Sequence, residues 1–212
     1  EKYGEGIIAA SACLGGVYAG NYWDNGTYDD EGNRTGVDRD AALDAMRDTT
    51  RRMQAIFGDR WYGELQWNNI KEQHELNQLI IQIAEEFNVK LISTADSHYP
   101  NPTAWKDREL YKRLGWLGKG TPSWGEGGEL PAGVEEIGYE LYPKNGEQMW
   151  ESYESYSKSQ GFEYDDDLVM NSITETYHIA HKRIESFFPD TTVRLPDFVV
   201  PAGTTATQAL VN

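Results

Sequence analysis

Only one cysteine, Cys13, occurs in the 212 residues, so no internal disulfide can form and the fold must be held by packing and hydrogen bonds. No apolar run reaches the length of a bilayer crossing. The N-terminal Glu1-Lys2-Tyr3-Gly4 lacks the basic, apolar and small-residue layout of a signal peptide. Both absences predict a soluble, cytoplasmic protein with no membrane partner. Basic residues are also scarce: 19 Lys and Arg stand against 35 Asp and Glu, a net charge of −16. Such a surface repels phosphate backbones, which excludes a basic nucleic-acid-binding module and leaves only local or metal-mediated contact with DNA. An acidic surface is also ordinary for a soluble domain. The missing initiator Met suggests that the numbering starts inside a longer polypeptide or after a removed tag.

What is present points to a folded α/β protein. Hydrophobic residues make up 39% of the chain, with seven Trp and thirteen Tyr. Gly6 to Ser11 reads as a short buried strand followed by a turn at Cys13-Leu14-Gly15-Gly16. Residues 20–39, rich in Asn, Asp and Gly, read as an exposed loop or insertion. Asp40 is placed to cap a helix carrying Leu43, Met46, Met53, Ile56 and Phe57 and ending near Gly58. Trp61 to Gln66 alternates as a strand. Leu76, Leu79, Ile80, Ile83, Ala84 and Phe87 mark the clearest amphipathic helix, stopped by Asn88, and Val89 to Thr94 form the next strand. Strand, helix and strand in this order predict a right-handed βαβ unit.

Further helices are expected from Pro102 to Leu117, from Gly146 to Tyr153 and from Asp165 to Phe187, with a short strand at Tyr139 to Tyr142. Residues 118–138, centred on Gly125-Glu126-Gly127-Gly128, read as a flexible loop and lack the Lys-Ser/Thr ending of a phosphate-binding turn. The Pro-rich tail from Pro189 reads as an extended linker.

The stretch Leu91-Ile92-Ser93-Thr94-Ala95-Asp96-Ser97-His98-Tyr99 carries the chemistry. An apolar strand ends on a carboxylate and an imidazole spaced two apart, and in extended chain such residues share a side. Parallel α/β proteins keep their sites at the C-terminal ends of strands. Asp96 and His98 are therefore candidate metal ligands, and Cys13 also sits at a strand end. Their structural alternatives are a cap for Asp96, a backbone hydrogen bond for His98 and a small core residue for Cys13. Glu64 and Gln66 are candidates for orienting such ligands, a plain structural role being the alternative. His178 and His181, three apart on a helix, and His74 read as surface or interface residues rather than ligands.

Three segments in order carry a family resemblance: Gly6 to Gly16 with Ala10-Ser11-Ala12-Cys13-Leu14-Gly15-Gly16, Phe57-Gly58-Asp59-Arg60-Trp61-Tyr62-Gly63-Glu64-Leu65-Gln66, and Leu91 to Tyr99. They resemble the PHP (polymerase and histidinol phosphatase) domain of bacterial C-family replicative DNA polymerases, the DNA polymerase III alpha subunits. Tyr142-Pro143-Lys144-Asn145-Gly146-Glu147-Gln148-Met149, the helix with Asn171-Ser172-Ile173-Thr174-Glu175-Thr176, and Leu195 to Gly203 extend the resemblance toward the polymerase palm.

The resemblance implies a partial, distorted PHP-type (β/α)7 barrel over residues 1–142, a helical extension over 143–188 and a linker toward the palm over 189–212. It implies Cys13, Asp96 and His98 as ligands of Zn²⁺, with Mn²⁺ or Mg²⁺ as alternatives. It also implies a metal-dependent 3′-5′ exonuclease site in a polymerase that acts on DNA, or a scaffold that docks a separate proofreading exonuclease. The family's opening His-X-His strand and the palm carboxylates lie outside these residues. The chain by itself is accordingly expected to bind metal weakly and to be inactive, its partners being the rest of the polymerase polypeptide.

Overall fold

The computed structural model describes residues 4–117, 140–186, 188, 191, 192, 200 and 202–211. Its centre is a three-stranded parallel sheet, β1 (Ala9–Ala10), β4 (Trp61–Gln66) and β5 (Lys90–Thr94), in the order β1-β4-β5. The register is Ala9 to Trp61 and Ala10 to Tyr62 on one side of β4, and Tyr62 to Lys90 through Gln66 to Thr94 on the other. The Ser11 N–H extends the first pairing to the Tyr62 carbonyl at 3.0 Å. Only two residues of the predicted 6–11 strand are paired as strand.

The β4 and β5 strands are joined by α3 (Lys71–Phe87), whose Leu76, Leu79, Ile80, Ile83 and Ala84 are buried along one stripe. Each fully buried Leu or Ile there contributes about 1.5–3 kcal/mol relative to exposure. Asn88 ends the helix in the left-handed region at φ 51°, its N–H reaching the Ala84 carbonyl. Gly63 lets α3 come close: a Cβ there would lie 2.8 Å from Leu91 Cδ2 and 2.9 Å from Ile80 Cγ2. Between β1 and β4 the chain makes α1 (Val17–Asp24), an antiparallel hairpin of β2 (Gly26–Tyr28) and β3 (Arg34–Val37), and α2 (Arg39–Phe57).

The loop expected over 20–39 is thus a helix end and a hairpin. Turn formers dominate its composition, but Tyr18, Ala19 and Tyr22 bury one face of α1. The Trp61 indole N–H donates to the Tyr18 hydroxyl at 3.1 Å, Tyr18 bonds Thr50 Oγ1 at 2.7 Å, and Thr50 donates to the Met46 carbonyl at 2.7 Å, tying α1 to α2 and β4. Asp38, not Asp40, caps α2, accepting the Ala41 N–H at 3.1 Å, while Asp40 lies in its first turn.

Beyond the sheet come α4 (Trp105–Leu117), α5 (Gly146–Gln160) and α6 (Asp166–His178), the last continuing as a π-type turn over Ile179–Arg183. Helix α5 runs past the predicted stop at Tyr153, because its buried side has Ser152 and Ser157 beside Met149 and Tyr153, which hides the apolar period. Helix α6 packs against β5: Ser172 meets Ser93, Glu175 meets Lys90 at 3.3 Å, and Arg183 reaches Asp59 at 2.9 Å. It therefore runs antiparallel to β5 and its regular part ends well before Phe187. Residues 140–142 are not a strand, and α7 (Ala206–Val211) stands within the predicted linker. The predicted loop at 118–138 lies outside the described residues. Among the described residues the sheet does not close into a barrel; the architecture is mixed α/β with a three-stranded sheet.

Candidate functional site

Because β1, β4 and β5 are parallel, their C-terminal ends share one rim, and both candidate loops leave from it. Cys13 follows β1 by three residues and Asp96 follows β5 by two. One strand lies between them, so the strand axes are separated by about 10 Å, two ordinary sheet spacings. Sequence spacing alone placed these residues at strand ends, and that holds. The further expectation that Asp96 and His98 continue an extended strand does not. Strand β5 stops at Thr94, and Asp96 has φ 47°.

In this turn the two residues meet by another route. His98 Nδ1 lies 2.6 Å from the Asp96 carbonyl oxygen and 3.9 Å from Asp96 Oδ1. Donation from Nδ1–H to that carbonyl fixes the neutral tautomer whose Nε2 carries the lone pair, the arrangement that histidine ligands use. The His98 N–H donates to the Leu141 carbonyl at 2.8 Å and the Tyr99 N–H to the same oxygen at 3.2 Å; the Leu141 N–H donates to the Tyr99 hydroxyl at 2.8 Å. The imidazole is 42% exposed and the Asp96 side chain 32%, so both are open to a ligand.

The Cys13 loop is shaped by close approach. Ala12 has φ 62°, the Gly16 N–H donates to the Cys13 carbonyl at 2.8 Å, and the Gly15 N–H lies 3.5 Å from Cys13 Sγ. A Cβ on Gly16 would sit 2.0 Å from the Ser11 carbonyl, so this turn admits only glycine. Cys13 is half-buried.

Between the two loops a polar chain crosses the sheet. The Glu64 N–H donates to Ser11 Oγ at 2.9 Å, and Glu64 Oε1 accepts the Thr94 hydroxyl at 2.5 Å and Gln66 Nε2 at 3.2 Å. The register pairs Glu64 with Ile92 and Gln66 with Thr94, so these groups lie on one face of the sheet. Ser11 and Thr94 were missed by sequence reasoning. Their signal was their position two before Cys13 and two before Asp96. Among the described residues, no three His, Cys, Asp or Glu side chains are already gathered closely enough to hold a metal ion.

The other histidines separate clearly. His178 and His181 are exposed near the strands' N-terminal ends, His178 lying 3.5 Å from Glu175 and the His181 ring tilted against Tyr177 with centroids 4.2 Å apart. His74 is not at the surface. It is fully buried, with Nδ1 2.9 Å from the Tyr164 hydroxyl and Nε2 2.9 Å from the Asn68 carbonyl, and burial holds its pKa below the ordinary histidine value.

A parallel α/β sheet with its candidate donors on the C-terminal rim is the class that fold and site define. The chain is 33% identical over 213 residues to the DNA polymerase III subunit alpha of Aquifex aeolicus, a match that covers 99% of this chain and 16% of that protein. It is 28% identical over 153 residues to the subunit alpha of Campylobacter jejuni, covering 72% of this chain and 12% of the relative. A Helicobacter pylori subunit alpha is 31% identical over 110 residues, 52% of this chain and 9% of the relative. The chain is homologous to a segment of DNA polymerase III alpha subunits and spans less than one fifth of the length of these relatives. No protein-family model matches it.

Proposed function

We propose that this chain is the part of a replicative DNA polymerase alpha subunit that forms one section of a PHP-type metal-dependent phosphoesterase domain. The observation that carries the reading is the shared rim: Cys13 and the Asp96 and His98 turn leave the same edge of one parallel sheet, flanking the strand that bears Glu64. The donor set fits a divalent ion. A thiolate, a carboxylate and an imidazole with its Nδ1–H already committed suit Zn²⁺, and the carboxylate and imidazole also accept Mn²⁺ or Mg²⁺. Such an ion supplies Lewis acidity toward a phosphodiester. The residues of this chain hold their part of the site in place: Gly16 shapes the Cys13 turn, and the Leu141 carbonyl anchors the backbone of His98 and Tyr99.

In the longer polypeptide this region acts in DNA replication, in the cytoplasm, and contributes to 3′-5′ removal of nucleotides from DNA. Its remaining ligands are supplied by residues outside this chain. A non-catalytic scaffold that docks a separate proofreading exonuclease is the second reading. Glu64, Gln66, Thr94 and Ser11 satisfy one another, which is the arrangement of a structural network. Elemental analysis of the alpha subunit carrying this segment separates the two. The metal-site reading expects bound zinc or manganese that falls in Asp96→Ala and His98→Ala variants. Metal-free protein, or metal content indifferent to both changes, favours the scaffold.

A further inference from the structure

A cavity of about 1020 Å³ opens between α5 and α6 beside the end of β5. It touches Ala95 and Ser97, the neighbours of the candidate ligands, without including Asp96 or His98. Helix α6 has one buried face and one apolar face that stays open. Val169 and Ser172 are buried on the β5 side. Met170, Ile173 and Tyr177 form a second apolar stripe at i, i+3 and i+7 that lines the cavity, and Met170 is 45% and Tyr177 58% exposed. Trp150 of α5 continues this apolar floor. An apolar stripe at helical spacing, left open beside a groove, is the form in which proteins receive an amphipathic helix.

The charge of the rim selects the occupant. Glu147, Glu151 and Glu154 succeed one another at i, i+4 and i+7 along α5, all on the cavity wall. Lys144 is the single basic residue among the described lining residues, and its side chain, only 2% exposed, is committed to Glu140 at 3.2 Å. Lys158 approaches Glu154 at 3.8 Å, but both are well exposed and such a pair neutralises little. The groove thus offers an apolar floor under a negative edge.

We propose that the groove between α5 and α6 docks a basic amphipathic helix of a partner polypeptide, its apolar stripe on Met170, Ile173, Tyr177 and Trp150 and its Lys or Arg side chains along Glu147, Glu151 and Glu154. This surface is independent of the metal reading, since no candidate ligand lines it.

The test titrates this chain into two fluorescein-labelled peptides of the same Leu and Lys composition, one with Leu at i, i+3, i+4 and i+7, the other scrambled. The amphipathic peptide is expected to bind saturably and at least about tenfold more tightly than the scrambled one. Met170→Asp and Tyr177→Asp, exposed positions whose folding is checked by circular dichroism, are each expected to weaken it by about tenfold, the scale of an anchor side chain. Glu147→Gln with Glu151→Gln and Glu154→Gln is expected to weaken binding and flatten its salt dependence. Equal binding of both peptides would overturn the proposal as general attraction to an acidic protein. Insensitivity to both Asp substitutions would overturn it too. So would sedimentation showing a dimer that Met170→Asp dissolves, which would make the occupant a second copy.

Discussion

Ser93 of β5 and Ser172 of α6 share a buried hydrogen bond of 2.6 Å. The direction of the proton is fixed by their other partners. The Trp67 indole N–H donates to Ser93 Oγ at 2.9 Å, and Ser172 donates to the Val169 carbonyl at 2.7 Å, so Ser93 must give its proton to Ser172. This relay fastens the helical part of the chain to the sheet that ends at Asp96. Ser172→Ala is expected to leave the Ser93 hydroxyl without its acceptor and to cost about 1–3 kcal/mol. Urea unfolding followed by tryptophan fluorescence measures it.

The Cys13 turn makes a paired prediction from two glycines. Gly16→Ala forces a methyl against the Ser11 carbonyl and is expected to destabilise by about 1–3 kcal/mol. Gly20, inside α1, has nothing within 4 Å of an added Cβ. Gly20→Ala is expected to stabilise by about 0.5–1 kcal/mol through helix propensity. Thermal melts of the two variants should move in opposite directions.

Helix α2 distinguishes a cap from a neighbour that merely carries the same charge. Asp38→Ala removes the acceptor for the Ala41 N–H and is expected to cost about 0.5–2 kcal/mol. Asp40→Ala removes only a favourable charge in the first turn, about 0.3–1 kcal/mol. Denaturant midpoints should rank the variants in that order.

That pair also shows where the sequence was readable. The α3 stripe from Leu76 to Ala84, the β4 strand and the Asn88 stop were legible because helical periodicity, strand-forming aromatics and the left-handed cap act locally, although β4 is buried on both faces and does not alternate in burial. The hairpin and α1 were not, since Asn, Asp and Gly in residues 20–39 signal turns without saying that two of the intervening stretches pair. His74 was misplaced at the surface for a different reason. It sits with Gln73 and Asn77 on a buried polar stretch of α3, which carries no apolar signal. For the candidate site, strand-end placement of Cys13, Asp96 and His98 followed from sequence, but the turn at Asp96 did not. A positive φ at a non-glycine residue depends on what holds it, here the loop pinned to Leu141.

Burial of His74 gives the stability a pH dependence of known sign. Its pKa is lowered in the folded protein, by desolvation first, with the Asn68 carbonyl opposing. The unfolded chain therefore binds the proton more readily, near the ordinary value of about 6.5. The His74 contribution is present above that pH and is lost as pH falls from there through the lower folded-state value. The slope is at most about 1.4 kcal/mol per pH unit. Urea midpoints at pH 7.5 and 5.5, test conditions that span about one unit either side of that value, are expected to differ more in wild type than in His74→Gln.

The account rests most heavily on Cys13 and His98 sharing one rim, and the lone cysteine makes that measurable without other substitutions. A nitroxide attached to Cys13 should broaden the imidazole resonances of His98 strongly while those of His181, beside the opposite strand ends, remain sharp. Sharp His98 resonances, or broadening of His181 in their place, would contradict the shared rim and with it the assignment of Cys13, Asp96 and His98 to one metal site.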